Sequence, residues 1–178
     1  MSELHFLRTR TTDEAYAFAE QLLLSAFPDN EHRDLAEQRH NADHNPLFHH
    51  IVVFDGTQPV GLLAYWLFAD FCYVEHLATS PHLRGGGYGK RILDWLHRQH
   101  DRPVVLEVEL PTDEMSRRRI GFYQRQGYRL LPDAYVQPPY RKGDAPLPMK
   151  LMVHEGGRPA ADIASMRATL YREVYRWE

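Results

Sequence analysis

The chain has 178 residues, 43% hydrophobic and 25% charged, a length that suits one domain with a sizeable core. Its net charge of -3 provides no global basic field, which argues against nucleic acid as a partner. The single cysteine, Cys72, excludes an internal disulfide framework. The longest apolar run, residues 60–74, is too short to span a bilayer. We therefore expect a soluble cytoplasmic protein without a signal peptide or membrane segment.

The first half of the chain predicts strands and helices in alternation. Residues 4–8 predict a first strand, and apolar residues at helical spacing over 13–27 predict a helix that packs on a sheet. A second, more polar helix is expected over residues 31–42. Residues 48–54 and 60–68 bracket Asp55-Gly56, which is typical of a β-hairpin, and residues 71–79 form the next strand.

A glycine-dense loop leads from that strand into an amphipathic helix predicted over residues 88–100. Its sequence is Arg84-Gly85-Gly86-Gly87-Tyr88-Gly89-Lys90. Glycine lets the backbone turn with positive φ and lets its N–H groups approach a ligand closely. The first turn of a helix adds unpaired N–H groups and the positive end of its dipole. The loop therefore predicts a cradle for phosphate or pyrophosphate, although glycine-rich loops are also common as flexible connections.

The second half continues the mixed pattern. Residues 104–110 predict a strand, a helix carries residues 117–126, and residues 128–131 predict another strand. The proline-rich segment 132–148 is expected to be a loop or lid with short extended pieces, and residues 149–154 a final strand. A last helix over 159–176 has an apolar stripe that must cover either this domain or another chain, so a homodimer is left open.

Two motifs together resemble the GNAT superfamily of acetyl-CoA-dependent N-acyltransferases. Arg84-x-x-Gly87-x-Gly89 is similar to the family's pyrophosphate loop, and Phe122-Tyr123-x-x-x-Gly127-Tyr128 is similar to its Phe-Tyr-x-x-x-Gly-Phe segment. The resemblance covers about residues 5–154. It implies an α/β (α+β) fold with a mixed, twisted sheet of about six to seven strands flanked by helices. One acyl-CoA N-acyltransferase domain would span residues 1–178, with its core over about 3–154 and a C-terminal helical extension over about 158–176.

The resemblance also implies a cofactor site for acetyl-CoA as the cosubstrate. The pyrophosphate would be held by the loop, and the pantetheine arm would lie where two strands splay apart. The residues assigned to the cofactor are Leu77, Ala78, Thr79, Arg84, Gly85, Gly86, Gly87, Tyr88, Gly89 and Lys90. Main-chain groups of Leu77 and Thr79 would contact the pantetheine arm, and the Leu77 N–H would donate to the thioester oxygen. Ser116 stands where many family members have asparagine.

Two residues are assigned catalytic roles. Tyr123 stands where the family places the tyrosine that protonates the sulfur of coenzyme A, although a tyrosine at a helix end is also a common packing residue. Glu75 is the candidate base, because desolvation between apolar neighbours is expected to raise its pKa. A glutamate in open water, or one that only attracts the ammonium, are the alternatives. His76 could be a base instead, yet strand alternation places it on the opposite face from Glu75. Cys72 could carry an acyl group or simply fill the core.

The acceptor is expected to be an amine of a small molecule or peptide. Glu107 and Glu109 share one face of their strand. If that strand neighbours the central one, as the resemblance implies, they would form with Glu75 an acidic wall suited to a cationic amine. Salt bridges to the arginines at 117–119 are the alternative. Tyr135 and Tyr140 would either line the acceptor site or anchor the loop.

A metal site and two other functions are the alternatives. His40 and His44 could share a helix face, but no further ligand completes a known metal spacing, so no metal site is predicted. The rival functions are a non-catalytic acyl-CoA-binding module and a nucleotide-binding protein that uses the same loop.

Overall fold

The computed structural model describes residues 1–177 and has one eight-stranded mixed sheet with helices on both faces, which confirms the predicted α/β fold. The strands are β1 (Leu4–Arg8), β2 (Phe48–Asp55), β3 (Gln58–Leu67), β4 (Cys72–Thr79), β5 (Val104–Glu109), β6 (Arg129–Leu130), β7 (Tyr135–Gln137) and β8 (Leu147–His154). The helices are α1 (Tyr16–Ala26), α2 (Leu35–His44), α3 (Tyr88–Gln99), α4 (Glu114–Arg125) and α5 (Ile163–Thr169). Short 3-10 turns cover Asp29–Glu31 and Pro81–Leu83. No helix within residues 1–177 is long and apolar enough to cross a membrane.

The sheet is antiparallel except at its centre. Its order is β1-β2-β3-β4-β5-β8-β6, with β7 also paired to β8, and β4 and β5 are the parallel pair. The eight strands exceed the expected six to seven because two short ones, β6 and β7, pair one after the other along β8. The short extended pieces expected in the proline-rich segment are thus built into the sheet.

Each face of the sheet buries its own apolar cluster. Helices α3 and α4 cover one face, where Ile92, Leu93 and Leu96 are fully buried. Helix α1 covers the other with Ala19, Leu22 and Leu23. Fully burying one such leucine or isoleucine side chain contributes about 1.5–3 kcal/mol to the free energy of folding, so the helices on both faces stabilise the sheet.

The last helix packs on the same sheet face as α1. Helix α5 continues directly into a π-helix, Leu170–Tyr175, and together they bury Met166, Leu170, Val174 and Tyr175 in that cluster. The apolar stripe predicted over residues 159–176 therefore covers this chain's own core. The one helix expected there begins later, at Ile163, because the Asp162 side chain accepts a hydrogen bond from the Ser165 N–H and caps it.

A β-bulge in β4 interrupts the strand alternation at Glu75. Ala64 pairs with His76 and Tyr65 with Val74, so Glu75 is the extra residue. The directions of two amides agree with this. The Cys72 N–H donates to Pro103, on the β5 side, whereas the Ser80 N–H donates to Val60, on the β3 side. Without a bulge, residues eight positions apart would donate to the same side.

The bulge has two consequences for the residues around it. The side chains of Glu75 and His76 lie on the same sheet face, since the Tyr140 hydroxyl bonds Glu75 while the His76 ring stacks at 6.4 Å from the Tyr140 ring. The expectation that His76 faces away from Glu75 is therefore wrong. Beyond the bulge, alternation directs the main-chain N–H groups of Leu77 and Thr79 toward the β5 side.

Candidate functional site

A cleft of about 790 Å³ opens where β4 and β5 separate. The two strands pair only from Cys72–Val104 to Val74–Leu106 and then diverge. The glycine loop lies at one end of this cleft and three glutamates, Glu31, Glu107 and Glu109, lie toward the other, with Tyr123 among the lining residues. The structure thus brings most of the predicted site residues to one cavity.

The glycine loop adopts the strained backbone that only glycine tolerates well. Gly85 and Gly87 have φ of 85° and 76°, and Gly87 directly precedes α3. Within residues 1–177, the main-chain N–H groups at five positions of the loop and first helical turn have no protein acceptor. These positions are Gly85, Gly87, Tyr88, Gly89 and Lys90. A Cβ at Gly89 would lie 3.2 Å from Cζ of Phe122, so this backbone approaches its neighbour closely. The loop therefore offers open amides at a helix N-terminus, which suits an anion.

Not every predicted cofactor residue offers the same groups to the cleft. The Tyr88 hydroxyl donates to Asp55 at 2.6 Å, so its side chain is used to tie the loop to the β2–β3 hairpin. Ala78 lines the cleft, but alternation turns its main-chain N–H toward β3, where it pairs with Leu62. Leu77 and Thr79 have the opposite direction, and their N–H groups face the gap that β5 leaves.

Glu75 is buried in an ion pair with Arg33. Its side chain is 0% exposed and that of Arg33 is 3% exposed. The carboxylate also accepts hydrogen bonds from Trp66 Nε1 at 2.9 Å and from the Tyr140 hydroxyl at 2.7 Å. Burial acts to raise the pKa of Glu75, but the charge of Arg33 and these donors outweigh it and lower that pKa. The raised pKa expected for Glu75 is therefore wrong, since sequence gave no sign of Arg33, 42 residues away.

Arg33 is enclosed by three aromatic rings. Its guanidinium carbon lies 5.3 Å from the ring centroid of Tyr140, 5.7 Å from that of Phe48 and 5.8 Å from that of Trp66. Such cation–π contacts offset part of the cost of burying a charge. Arg33 and Glu75 form one buried unit in which the carboxylate is already neutralised.

Glu107 has a different environment on the neighbouring strand. It is half-buried, lines the cleft and takes part in no salt bridge within the described chain. Its donors are neutral groups: Tyr73 at 2.6 Å, Tyr175 at 2.5 Å, Gln137 at 3.0 Å, and Tyr135. Burial raises the pKa of Glu107 although these hydrogen bonds act to lower it. The sequence predicted Glu107 only as part of an acidic wall, and no local signal marked these distant donors.

Tyr123 is a half-buried residue of the cleft. Its ring makes edge contacts with Phe122 and Tyr128, with centroid distances of 5.2 and 5.6 Å. Burial raises the pKa of Tyr123, and the nearby Arg119 acts against this rise. Its hydroxyl is therefore protonated at neutral pH and can donate a proton or a hydrogen bond.

The other two candidate reactive residues, His76 and Cys72, are both uncharged. His76 Nε2 lies 2.8 Å from the carbonyl of Glu31, which fixes the proton on Nε2 and leaves the buried Nδ1 as an acceptor with no partner within residues 1–177. Burial lowers the pKa of His76, so the ring is neutral. Cys72 is fully buried and its pKa is raised to about 12, so its thiol stays protonated.

The acidic wall separates into distinct environments. Glu109 faces Arg119 at 3.6 Å, which is the expected alternative of an arginine salt bridge. Glu31, which the sequence did not suggest, lies in the same cleft, and burial together with the charge of Glu109 raises the pKa of Glu31. This end of the cleft carries more acidic than basic groups, whereas the loop end carries Arg84 and Lys90.

The remaining predicted residues serve the frame of the site. Tyr135 and Tyr140 anchor the segment after β6 by donating to Glu107 and Glu75. Ser116 takes part in the capping box of α4, its N–H donating to Asp113 at 2.7 Å. The rings of His40 and His44 lie 5.0 Å apart. In the part of the chain that the structure describes, no group of three or more potential ligands could hold a metal ion.

Comparisons with known proteins identify relatives of this chain. The model of the acetyltransferase (GNAT) family matches residues 14–128. A GNAT-family protein of Bacteroides thetaiotaomicron, provisionally named an acetyltransferase, is 46% identical, with 98% of this chain and 99% of that chain covered and a TM-score of 0.92. YjbC of Bacillus subtilis (strain 168), also a provisional acetyltransferase, is 34% identical over 71 residues, which span 38% of this chain and 36% of YjbC. An aminoglycoside 6'-N-acetyltransferase complexed with coenzyme A shares the fold at 16% identity, with a TM-score of 0.64 over 89% of this chain and 99% of that chain.

Proposed function

Since this chain belongs to the GNAT family of acetyltransferases, as its two motifs predicted, we propose that it transfers the acetyl group of acetyl-CoA to a primary amine by direct attack in a ternary complex. One observation carries this proposal. A single cleft has open main-chain amides at one end and a carboxylate of raised pKa, Glu107, at the other. The first suits the diphosphate of a cosubstrate, and the second suits removal of a proton from an amine.

The residues of the loop fit the diphosphate of coenzyme A. The open N–H groups between Gly85 and Lys90 would donate to its oxygens, while Arg84 and Lys90 supply positive charge. The glycine at position 89 lets this backbone pack closely against Phe122. The pantetheine arm would run along β4 and accept hydrogen bonds from the Leu77 and Thr79 N–H groups, which face the gap left by β5.

Acetyl-CoA supplies an acetyl group activated as a thioester, and the protein residues handle the protons. The ammonium form of the amine first loses one proton to solvent, which exposes the lone pair of the nitrogen. As the new C–N bond forms and the C–S bond breaks, the nitrogen loses a second proton and the sulfur gains one. We propose that Glu107 accepts the proton of the attacking nitrogen and that Tyr123 donates a proton to the sulfur. The Leu77 N–H would stabilise the negative charge that develops on the carbonyl oxygen.

Glu107 suits the base role better than Glu75 does. Oε1 of Glu107 accepts three hydrogen bonds and Oε2 accepts one, from Tyr135, so Oε2 keeps room for a further donor. Glu75 is paired with Arg33 and has a lowered pKa, which makes it a weaker proton acceptor. We propose that Glu75 instead fixes the wall of the acceptor site through Tyr140.

The acceptor is proposed to be a cationic amine of a small molecule or peptide. Glu31 and Glu109 stand at the cleft end near Glu107, and their charges attract an ammonium group toward the base. The buried Nδ1 of His76 and Oε1 of Gln137, both without a partner within residues 1–177, add acceptor atoms to the same cleft wall.

Thiol release from acetyl-CoA, measured across a panel of primary amines, tests the proposal. Tyr123→Phe and Glu107→Gln are each expected to lower kcat by about a hundredfold or more while coenzyme A affinity stays unchanged. Glu75→Gln is the matched control for the assignment of the base. Normal kcat in Glu107→Gln with a loss in a folded Glu75→Gln would return that role to Glu75. Binding of coenzyme A without thiol release for any amine would favour the acyl-CoA-binding module, and competition by ATP would favour a nucleotide site.

A further inference from the structure

The donors around Glu107 come mainly from the C-terminal part of the chain. Tyr135, Gln137 and Tyr175 lie beyond residue 128, where the match to the family model ends, and only Tyr73 lies within it. The environment of this carboxylate is thus built by a part of the chain that the family model does not describe.

Tyr175 reaches Glu107 because the C-terminal helix is fixed in place. Met166, Leu170 and Val174 anchor it in the core. The Tyr171 hydroxyl also donates to the Val136 carbonyl of β7 at 2.6 Å, which ties the helix to the strand that carries Tyr135 and Gln137. The helix widens to π geometry over Leu170–Tyr175, the turn that presents Tyr175, and such wide turns occur frequently at functional sites.

We propose that the C-terminal helix is part of the catalytic apparatus, with Tyr175 as a positioning residue that holds Glu107 with Oε2 presented to the acceptor amine. This inference rests on the proposed function, in which Glu107 accepts the proton of the amine. Tyr175 itself touches Glu107 and Tyr73 and acts through the carboxylate.

The hydrogen bonds explain how this positioning works. The Tyr175 hydroxyl lies 2.5 Å from Oε1 of Glu107 and 3.1 Å from the Tyr73 hydroxyl. Together with Gln137, these two tyrosines hold Oε1 from three directions, so the carboxylate cannot rotate freely. Removing one hydroxyl would loosen the carboxylate and remove a donor that favours its charged form.

The titratable groups that face Glu107 come from every element around it. They are Tyr73 of β4, Tyr135 of β7, Tyr140 of the following loop, Tyr171 and Tyr175 of the C-terminal helix, and Glu31 of the first 3-10 turn. The pKa values of all five tyrosines are raised, so they are neutral near pH 7. Glu31 is the acidic neighbour whose titration would overlap with that of Glu107.

Tyr175→Phe tests this role through the pH dependence of kcat/KM for the best amine of the panel. Glu107 must be deprotonated to accept a proton, so its pKa sets the acidic limb of the profile. Because Tyr175→Phe removes one hydrogen-bond donor to Glu107, the acidic limb is expected to shift to higher pH by about one unit. Glu31→Gln, measured alongside, identifies any part of the limb that belongs to Glu31. The matched control is Tyr65→Phe, which loses a partly buried hydroxyl that contacts His100 and not Glu107, and it is expected to leave the limb in place.

A second readout separates this inference from the function on which it rests. In protein labelled with ¹³C at glutamate carboxyls, the resonance that disappears in Glu107→Gln belongs to Glu107, and its pH titration gives the pKa without any catalysis. The Glu107 pKa is expected to rise in Tyr175→Phe and not in Tyr65→Phe. An unchanged Glu107 pKa in a folded Tyr175→Phe would overturn the role of Tyr175. Full activity of Glu107→Gln would instead overturn the proposed function.

Discussion

Replacing Arg33 by Met should destabilise the protein strongly, because it would leave the Glu75 carboxylate buried without a counter-charge. The two side chains are 3% and 0% exposed, so water cannot take over the lost interaction. Breaking a buried ion pair on one side typically costs about 3–5 kcal/mol. The hydrogen bonds from Trp66 and Tyr140 would remain and place the expected loss near the lower end, at about 3 kcal/mol.

The double variant Arg33→Met/Glu75→Gln separates the charge effect from packing. It removes both charges and keeps an amide oxygen that Trp66 and Tyr140 can still bond. We expect it to be more stable than Arg33→Met alone by about 2 kcal/mol, since the neutral pair carries no unpaired charge. The exposed pair between Arg118 and Glu114 provides the control, where Arg118→Met should change stability by less than about 0.5 kcal/mol.

Urea unfolding followed by circular dichroism at pH 7 and at pH 5 gives the free energies of unfolding. In the wild type, the lowered pKa of Glu75 stabilises the fold above the unfolded value of about 4.3, and this contribution is lost as pH falls through the folded pKa. In Arg33→Met, burial would raise the Glu75 pKa, so that variant should recover stability as pH falls. A loss below about 1 kcal/mol, or an equal loss at both pH values, would refute the buried ion pair as described.

Three further outcomes are expected. Gly89→Ala should weaken coenzyme A binding about tenfold by calorimetry, because the new methyl group would meet Phe122 at 3.2 Å. The control Gly121→Ala should leave the affinity unchanged, and equal affinities for the two variants would contradict the close approach at Gly89. Leu170→Ala should lower the unfolding free energy by about 2–5 kcal/mol, and a negligible change would mean that the C-terminal helix does not pack on this core. Cys72, fully buried with a pKa raised to about 12, should react with a thiol reagent only as fast as the protein unfolds, and rapid labelling of the native protein would count against its burial.

The sequence predicted what depends on local pattern. The glycine loop needs positive φ at Gly85 and Gly87, and the alternation of strands and helices follows from periodicity, so both could be inferred without coordinates. The bulge at Glu75 could not be inferred in this way. One extra residue in a strand leaves the composition of that strand unchanged, yet it places Glu75 and His76 on one face and turns the Leu77 N–H toward the cleft.

Contacts between distant residues account for the rest of what the sequence left open. Glu107 meets Tyr73 across 34 residues and Tyr175 across 68, and Arg33 meets Glu75 across 42. No window of neighbouring residues contains such pairs. The catalytic role of a glutamate could therefore be proposed from its strand, but the choice between two glutamates depended on partners that only the fold brings together.

The two central glutamates show how that choice is made physically. Both lie beside the gap between β4 and β5, and burial acts to raise the pKa of each. Glu75 lies beside a guanidinium, whose charge lowers the pKa of Glu75 despite its burial. Glu107 lies beside neutral hydroxyls and one amide, which reduce the rise in its pKa without reversing it. Their contributions to stability have opposite signs: that of Glu75 is lost as pH falls through its lowered pKa, and that of Glu107 is lost as pH rises through its raised pKa. A carboxylate whose charged form is destabilised in the fold has a raised pKa and is the stronger proton acceptor. For this reason the proton acceptor of the proposed reaction is Glu107, the carboxylate without a cation beside it.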